Sequence, residues 1–233
     1  EQGGAEMTTG KALIHCVRAA AGIALLGMLV FPVTATATGS PGELDFNEQT
    51  HLEFMCEEEK LARDVYITLG AKHPEARVFG NIDDSEEQHK CAVSDMLEKY
   101  GIPNPSTNDN VGVFTGEAYG AYFTEKYKEL VERGSVSVLE AYYVGAFIEE
   151  LDMIDIMQCP QEILEADNGI DDVSQCGRVY TDEPDIQRLY DSLLDGSKNH
   201  LQAYVHNIEK IIGEGNYRAQ VLSQDDLDEI LGR

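Results

Sequence analysis

From residue 44 onward the hydrophobic positions recur at steps of three and four, and no stretch sustains the every-second-residue alternation of a half-buried strand. The pattern predicts an all-α chain. A first helix is expected over 44–69, ending near Gly70 and before Pro74, and a second over 81–100, ending at "YGIPNP". The turn-rich stretch "PNPSTNDNVGVFTG" then leads to a shorter helix over 117–133, closed by Gly134. A third long helix follows "GSVS" over 138–157. Pro160 and "EADNGIDDVSQCG" interrupt the pattern before a fourth over 184–212. A short terminal helix lies in "SQDDLDEILG", with Ser223 as N-cap and acids in its first turn. Four long helices with a long link between the second and third are what a bundle with a crossover connection needs, and the helix over 117–133 fits in that crossover.

Polar residues interrupt these stripes in a concerted way. Stepping along the first helix gives Leu52, Met55, Glu59, Ala62, Tyr66 and Leu69, so Glu59 falls in an apolar row. A carboxylate buried without a partner is costly, and such a position calls for a salt bridge or a ligand role. Glu57 and Glu58 fall off the row and are expected to be solvated or half-exposed, screened by Lys60 and Arg63. The second helix gives Ile82, Glu86, His89, Val93, Met96 and Tyr100, an E-x-x-H pair one turn apart on one face. The third gives Val138, Tyr142, Gly145, Glu149, Asp152 and Ile156, with Glu150 as the spare acid. An alternative face of Val144, Ile148, Leu151 and Ile154 is more apolar and would put Glu149 and Asp152 at its edge. The fourth gives Ile186, Tyr190, Leu193, Ser197, His200, Tyr204 and Ile211. A single inward histidine is ordinarily a hydrogen-bonded core residue. Three inward carboxylates and two imidazoles from separate helices instead call for cations, and carboxylate-rich sites with histidine suit iron or manganese.

Composition changes the picture at two points. With 43 acidic against 17 basic residues, the formal charge of -26 argues against nucleic acid or an anionic membrane surface as partner and makes cations the natural counterparts. The N-terminal order of Lys11 and Arg18, the apolar run "AAAGIALLGMLVF" and an Ala35-Thr36-Ala37 site reads as a secretory signal cleaved after Ala37, with an uncleaved anchor as the alternative. The chain thus divides into pre-sequence and signal (1–37), linker (38–43), helical domain (44–213) and a tail with a short helix (214–233). Export permits disulfides among Cys56, Cys91, Cys159 and Cys176, which remain once Cys16 leaves with the signal. Cys159 and Cys176 would staple the acidic loop. Antiparallel first and second helices would bring Cys56 toward Cys91, and that bridge would clamp two ligand-bearing helices. No C-x-x-C pair supports a rubredoxin-like or zinc-ribbon site.

The segments "EEEKLARDVY", "NIDDSEEQH", "GAFIEELDMIDI" and "GSKNHLQAY" together resemble a ferritin-like domain family of unknown function (DUF2202-type), over roughly 44–212. "EKLARDVY" is also similar to the rubrerythrin pattern within the ferritin-like superfamily. The resemblance implies a ferritin-like four-helix bundle and a metal centre of Glu59, Glu86, His89, Glu149 and His200, with Asp152 as a sixth ligand and Tyr66 near the site. The sequence departs from that pattern twice. Ser197 stands where a fourth-helix carboxylate is usual, for which Asp152 could compensate, and Ala146 stands where rubrerythrins carry an additional Glu.

The expected activity is that of an exported di-metal oxidoreductase with two divalent ions, iron first and manganese or zinc as alternatives. It would use dioxygen or peroxide or oxidise Fe(II), with an external electron donor as partner and a homodimer compatible with the sequence. Tyr66 and Tyr204 are the candidates to hydrogen-bond ligands or donate an electron. Two other classes remain: a non-catalytic metal-sequestering protein, and a helical interaction module whose acids pair with Arg63 or Arg188.

Overall fold

The computed structural model describes Cys16 and residues 42–233, and the secretory signal expected over 1–37 lies outside the described residues apart from Cys16. The chain divides into the units Glu1–Ser40 and Pro41–Arg233, and the helices described below belong to the second. Its regular structure is entirely helical: α1 (Phe46–Lys72), α2 (Phe79–Tyr100), α3 (Gly120–Gly134), α4 (Val138–Met157), α5 (Gln161–Leu164), a 3-10 turn (Val173–Gln175), α6 (Pro184–Ile212) and α7 (Gln224–Leu231).

Local chemistry sets the helix ends. Asp45 opens α1 with a reciprocal capping box: its Oδ1 accepts from the Glu48 amide at 2.9 Å while Glu48 Oε2 accepts from its own amide at 3.1 Å. Ser137 caps α4, Ser223 caps α7 as expected, and Pro184 occupies the first turn of α6, where a missing N–H costs nothing. Helix α1 runs through Gly70 to Lys72, three residues beyond the predicted stop, because an isolated glycine weakens a helix without ending it.

Helices α1 and α2 pack along one another, as do α4 and α6, and the pairs meet through α1 with α4 and α2 with α6. The crossover carries α3 onto α1 and α4. That packing explains why α4 has no dry and wet face: Val144, Ile148, Glu149, Glu150, Asp152 and Asp155 are all buried. Both faces weighed from its sequence are thus covered, and Glu149 and Asp152 point into the protein rather than along an edge. On α6 the stripe continues from Tyr204 to Val205 and Ile208, and Ile211, expected inside, is exposed.

The crossover also overturns the expected exposure of the first acids. Glu57 and Glu58 are buried. Glu57 Oε1 accepts the Gly116 amide at 2.9 Å, fixing the crossover to α1. Neither Lys60 nor Arg63 pairs directly with these two acids, although the Lys60 charge still favours ionised Glu57: Lys60 bonds Asp64 and the Asn110 carbonyl, and Arg63 reaches Asp64, Glu87 (2.5 Å) and Asp109 (2.6 Å), tying α1, α2 and the crossover together. Glu150 anchors the tail, accepting from Tyr217 Oη at 2.7 Å and from the amides of Gln220, Val221 and Leu222 at 2.6 to 3.1 Å.

Cys159 and Cys176 are joined, stapling the acidic loop. The Cys56–Cys91 bridge is not formed. Cys56 is a buried free thiol, and Cys91 is taken up in a different disulfide. The register explains this, since Cys56 Sγ lies 3.6 Å from Ser94 Oγ, nearly one helical turn past Cys91. No helix among the described residues is long and apolar enough to cross a membrane.

Candidate metal centre

Each long helix delivers part of one buried cluster: Glu59 from α1, Glu86 and His89 from α2, Glu149 and Asp152 from α4, and His200 from α6. The acids are buried, and the His89 side chain retains 14% exposure. Two sets of side-chain atoms converge, each within 4.8 Å: Glu59, Glu86 and His89, and Glu86, Glu149 and His200. Glu86 belongs to both. Its Oε2 lies 2.9 Å from His89 Nδ1 and its Oε1 lies 2.7 Å from His200 Nδ1. His89 Nδ1 also faces Glu59 Oε2 at 3.3 Å, and His200 Nδ1 faces Glu149 Oε2 at 3.5 Å.

Neighbours aim these groups. The Ser85 hydroxyl meets His200 Nε2 at 3.0 Å, which leaves Nδ1 turned inward. Tyr66 Oη donates to Glu149 Oε1 at 2.6 Å. Ser197 donates to Asp152 Oδ2 at 2.5 Å, so the serine in place of a carboxylate orients the acid expected to compensate for it. Asp152 stands outside both three-residue sets but acts electrostatically on the same acids. Tyr204 packs its ring 5.4 Å from that of Tyr66.

Two glycines make the room. A Cβ on Gly196 would fall 2.4 Å from His89 Cε1 and 2.5 Å from its Nε2, and one on Gly145 would fall 2.5 Å from the Tyr204 ring. Gly145 falls in the stripe read along the third long helix, but neither Gly196 nor Ser85 carries a periodic signal in the sequence, because each matters through a partner on another helix.

The electrostatics are those of a cluster short of positive charge. Burial pushes Glu59 up to about 7, with Glu86 adding to the rise and His89 opposing it. Burial, then Glu86, raises Glu149, and burial, then Glu59, raises Asp152 well above the usual range. Glu86 alone goes down: burial opposes its charge, but the close approach and charges of His200 and His89 hold it at about 2. The imidazoles respond in kind. Burial disfavours their protonation, yet Glu59 and Glu86 lift His89 to about 12, and Glu149 and Glu86 lift His200 to about 10.

Among the described residues no lysine or arginine pairs with any of the six, and Arg63, one proposed counterion, is committed elsewhere. Imidazolium protons are the only positive charge at hand among the described residues. They are badly placed, because Glu59 Oε1, Glu86 Oε1 and His200 Nδ1 are buried without a directed hydrogen bond. His200 Nδ1 and Glu86 Oε1 approach to 2.7 Å without one, a contact that two ligands of a shared cation would satisfy. Carboxylates with imidazole are the donor set that divalent first-row metals accept, so the residues present fit two such ions.

The chain is 39% identical over 184 residues to the uncharacterized protein MJ0754 of Methanocaldococcus jannaschii, covering 79% of this chain and 86% of the other. It superposes on the crystal structure of hypothetical protein MJ0754 from Methanococcus jannaschii with a TM-score of 0.68 at 38% identity, covering 82% of this chain and 94% of that one. The family model described as an uncharacterized protein domain, DUF2202, matches residues 48–233, and the chain belongs to that family.

Proposed function

We propose that the chain is an exported, ferritin-like di-metal protein, an oxidoreductase that holds two iron ions and uses dioxygen or peroxide or oxidises Fe(II). The observation that carries this reading is the position of Glu86, whose two oxygens each face a different imidazole within a different three-residue set. A carboxylate so placed would help to hold both ions of a paired centre. One acid or imidazole from each of four long helices, including an E-x-x-H pair, also follows the ferritin-like way of building such a centre.

Bound iron would supply one-electron transfer to dioxygen or peroxide. The protein's part is to hold Glu86 ionised between the two positions, to turn His200 Nδ1 inward through Ser85, and to keep Glu149 hydrogen-bonded to Tyr66. Tyr66, whose proton already lies against Glu149, is the residue placed to release an electron together with that proton, with Tyr204 stacked behind it. Reducing equivalents would come from an external electron donor. Ser197 in place of a carboxylate favours a second reading, in which the centre sequesters metal without turnover.

Iron bound per chain after anaerobic reconstitution, compared with a Glu86→Ala/His89→Ala variant, tests both. Two irons lost in the variant, with peroxide or dioxygen consumption in the wild type, are expected. Two irons without turnover would leave sequestration. No specifically bound metal in a folded chain would overturn the proposal.

A further inference from the structure

Outside this centre, buried acids have visible partners. Asp64 lies against Lys60 and Arg63, Glu87 against Arg63 and Lys90, and Glu57, Glu48 and Glu150 accept backbone amides or hydroxyls. Glu58 on α1 and Asp155 on α4 do not follow this rule. Each is about 5% exposed, and their carboxyl groups face one another within hydrogen-bonding reach. Glu58 Oε2 is buried without any hydrogen bond. No lysine or arginine pairs with either residue among the described ones. The nearby His51 ring meets Asp155 only through its backbone carbonyl, at 2.8 Å.

The groups acting on the pair are themselves acids: Asp152 and Glu59 on Glu58, and Glu162 of α5 on Asp155. Tyr122 of α3 lies against Glu162. A row of carboxylates thus runs from half-buried Glu162 through Asp155 and Glu58 to Asp152 and Glu59 at the centre. Two facing buried carboxylates either share one proton or hold a cation between them. The pair offers oxygen only, a donor set that takes hard divalent ions and, with so few protein ligands, leaves several waters on the ion. Such a site binds more weakly than one with imidazoles, which suits passage rather than storage.

We propose that Glu58 and Asp155 form an outer station for a hydrated divalent cation, from which ions pass to the Glu59–Glu86–His89 position. The delivery role rests on the centre binding metal as proposed above. The station itself does not.

The experiment uses the full chain and Mn(II) alone as probe, with free Mn(II) read by electron paramagnetic resonance. In a Glu86→Ala background, which disables the centre, about one Mn(II) per chain is expected to remain, and adding Glu58→Gln and Asp155→Asn abolishes it. Both changes are nearly isosteric and remove buried charge, so a thermal melt no lower than that of Glu86→Ala is expected. Superimposable Mn(II) titrations in the two backgrounds would overturn the station and leave a shared proton. In the otherwise wild-type chain, Glu58→Gln/Asp155→Asn is expected to slow loading of the centre about 10-fold or more at unchanged final occupancy. An unchanged loading rate would overturn delivery. A Glu58-dependent Mn(II) in a chain whose centre binds nothing would sustain the station while refuting the di-metal proposal.

Discussion

Gly196→Ala perturbs the centre from a position no ligand occupies. A Cβ at residue 196 would sit 2.4 Å from His89 Cε1, and the ring must retreat about 1 Å to reach an ordinary contact of 3.4 Å. His89 Nδ1 stands 2.9 Å from Glu86 Oε2 and 3.3 Å from Glu59 Oε2, so a shift of that size takes the imidazole out of reach of both acids. The folded chain gains about 1 kcal/mol of helix propensity from alanine and loses about 1–3 kcal/mol to overpacking, so net stability changes by no more than about 2 kcal/mol. Metal affinity suffers more specifically. Displacing a ligand through its supporting shell costs about 10- to 100-fold, or about 1.4–2.8 kcal/mol.

The assay pairs an anaerobic Fe(II) titration with urea denaturation of the metal-free protein. Loss of affinity with stability nearly unchanged is expected. In a His89→Ala background, where there is no ring to displace, the second substitution should have no further effect on affinity, as a double-mutant cycle requires of coupled residues. Wild-type affinity in Gly196→Ala would refute the placement of His89 at the centre. An equal loss in both backgrounds would show that Gly196 acts through something other than His89.

Arg63→Leu leaves Asp64 and Glu87 without their guanidinium and is expected to cost about 3–5 kcal/mol in urea denaturation, as for other broken buried pairs. A loss below 1 kcal/mol would mean that Lys60 and Lys90 suffice. Glu150→Ala removes the acceptor of three backbone amides and the Tyr217 hydroxyl. It should destabilise by about 3 kcal/mol and raise hydrogen exchange at residues 220–222 before the rest of the fold opens. Burial holds His51 down at about 4 although it bonds Tyr190 at 2.7 Å and the Asp155 carbonyl at 2.8 Å. The unfolded chain therefore binds this proton first. The contribution is complete above about pH 6.5 and is lost as pH falls to about 4, a slope worth about 3 kcal/mol that His51→Gln should remove from urea midpoints across that window.

The helices were legible because their ends are written locally: Asp45 with Glu48, Ser137, Pro184 and Ser223 act within three or four residues of themselves. What the sequence hid was cover. Glu57 and Glu58 read as solvated because period alone places them off the first stripe, and they are buried because the crossover and α4 close over α1 from outside. Cys56 and Cys91 read as a bridge because antiparallel helices bring their neighbourhoods together. Which turn faces which is a matter of register that spacing within one helix does not encode.

The same division runs through the candidate centre. Its charged members were visible because each broke an apolar stripe, and a buried charge is too costly to be accidental on four helices at once. Its supporting members were invisible for the complementary reason. Ser85 and Gly196 are small, and nothing about burying them is expensive, so their importance lies wholly in which ring they meet across a helix interface, whereas Ser197 was visible only as a departure from the resembled pattern. Glu58 and Asp155 fall between these cases. They are costly to bury but off the expected face of α1 and absent from the stripe read on α4, so only packing reveals that two more acids lie beside the centre without a countercharge. If cost is the signal that singles out Glu59 and Glu86, the same cost borne by Glu58 and Asp155 asks for the same kind of answer. A cation between them is the one answer here that also connects them to the centre they adjoin.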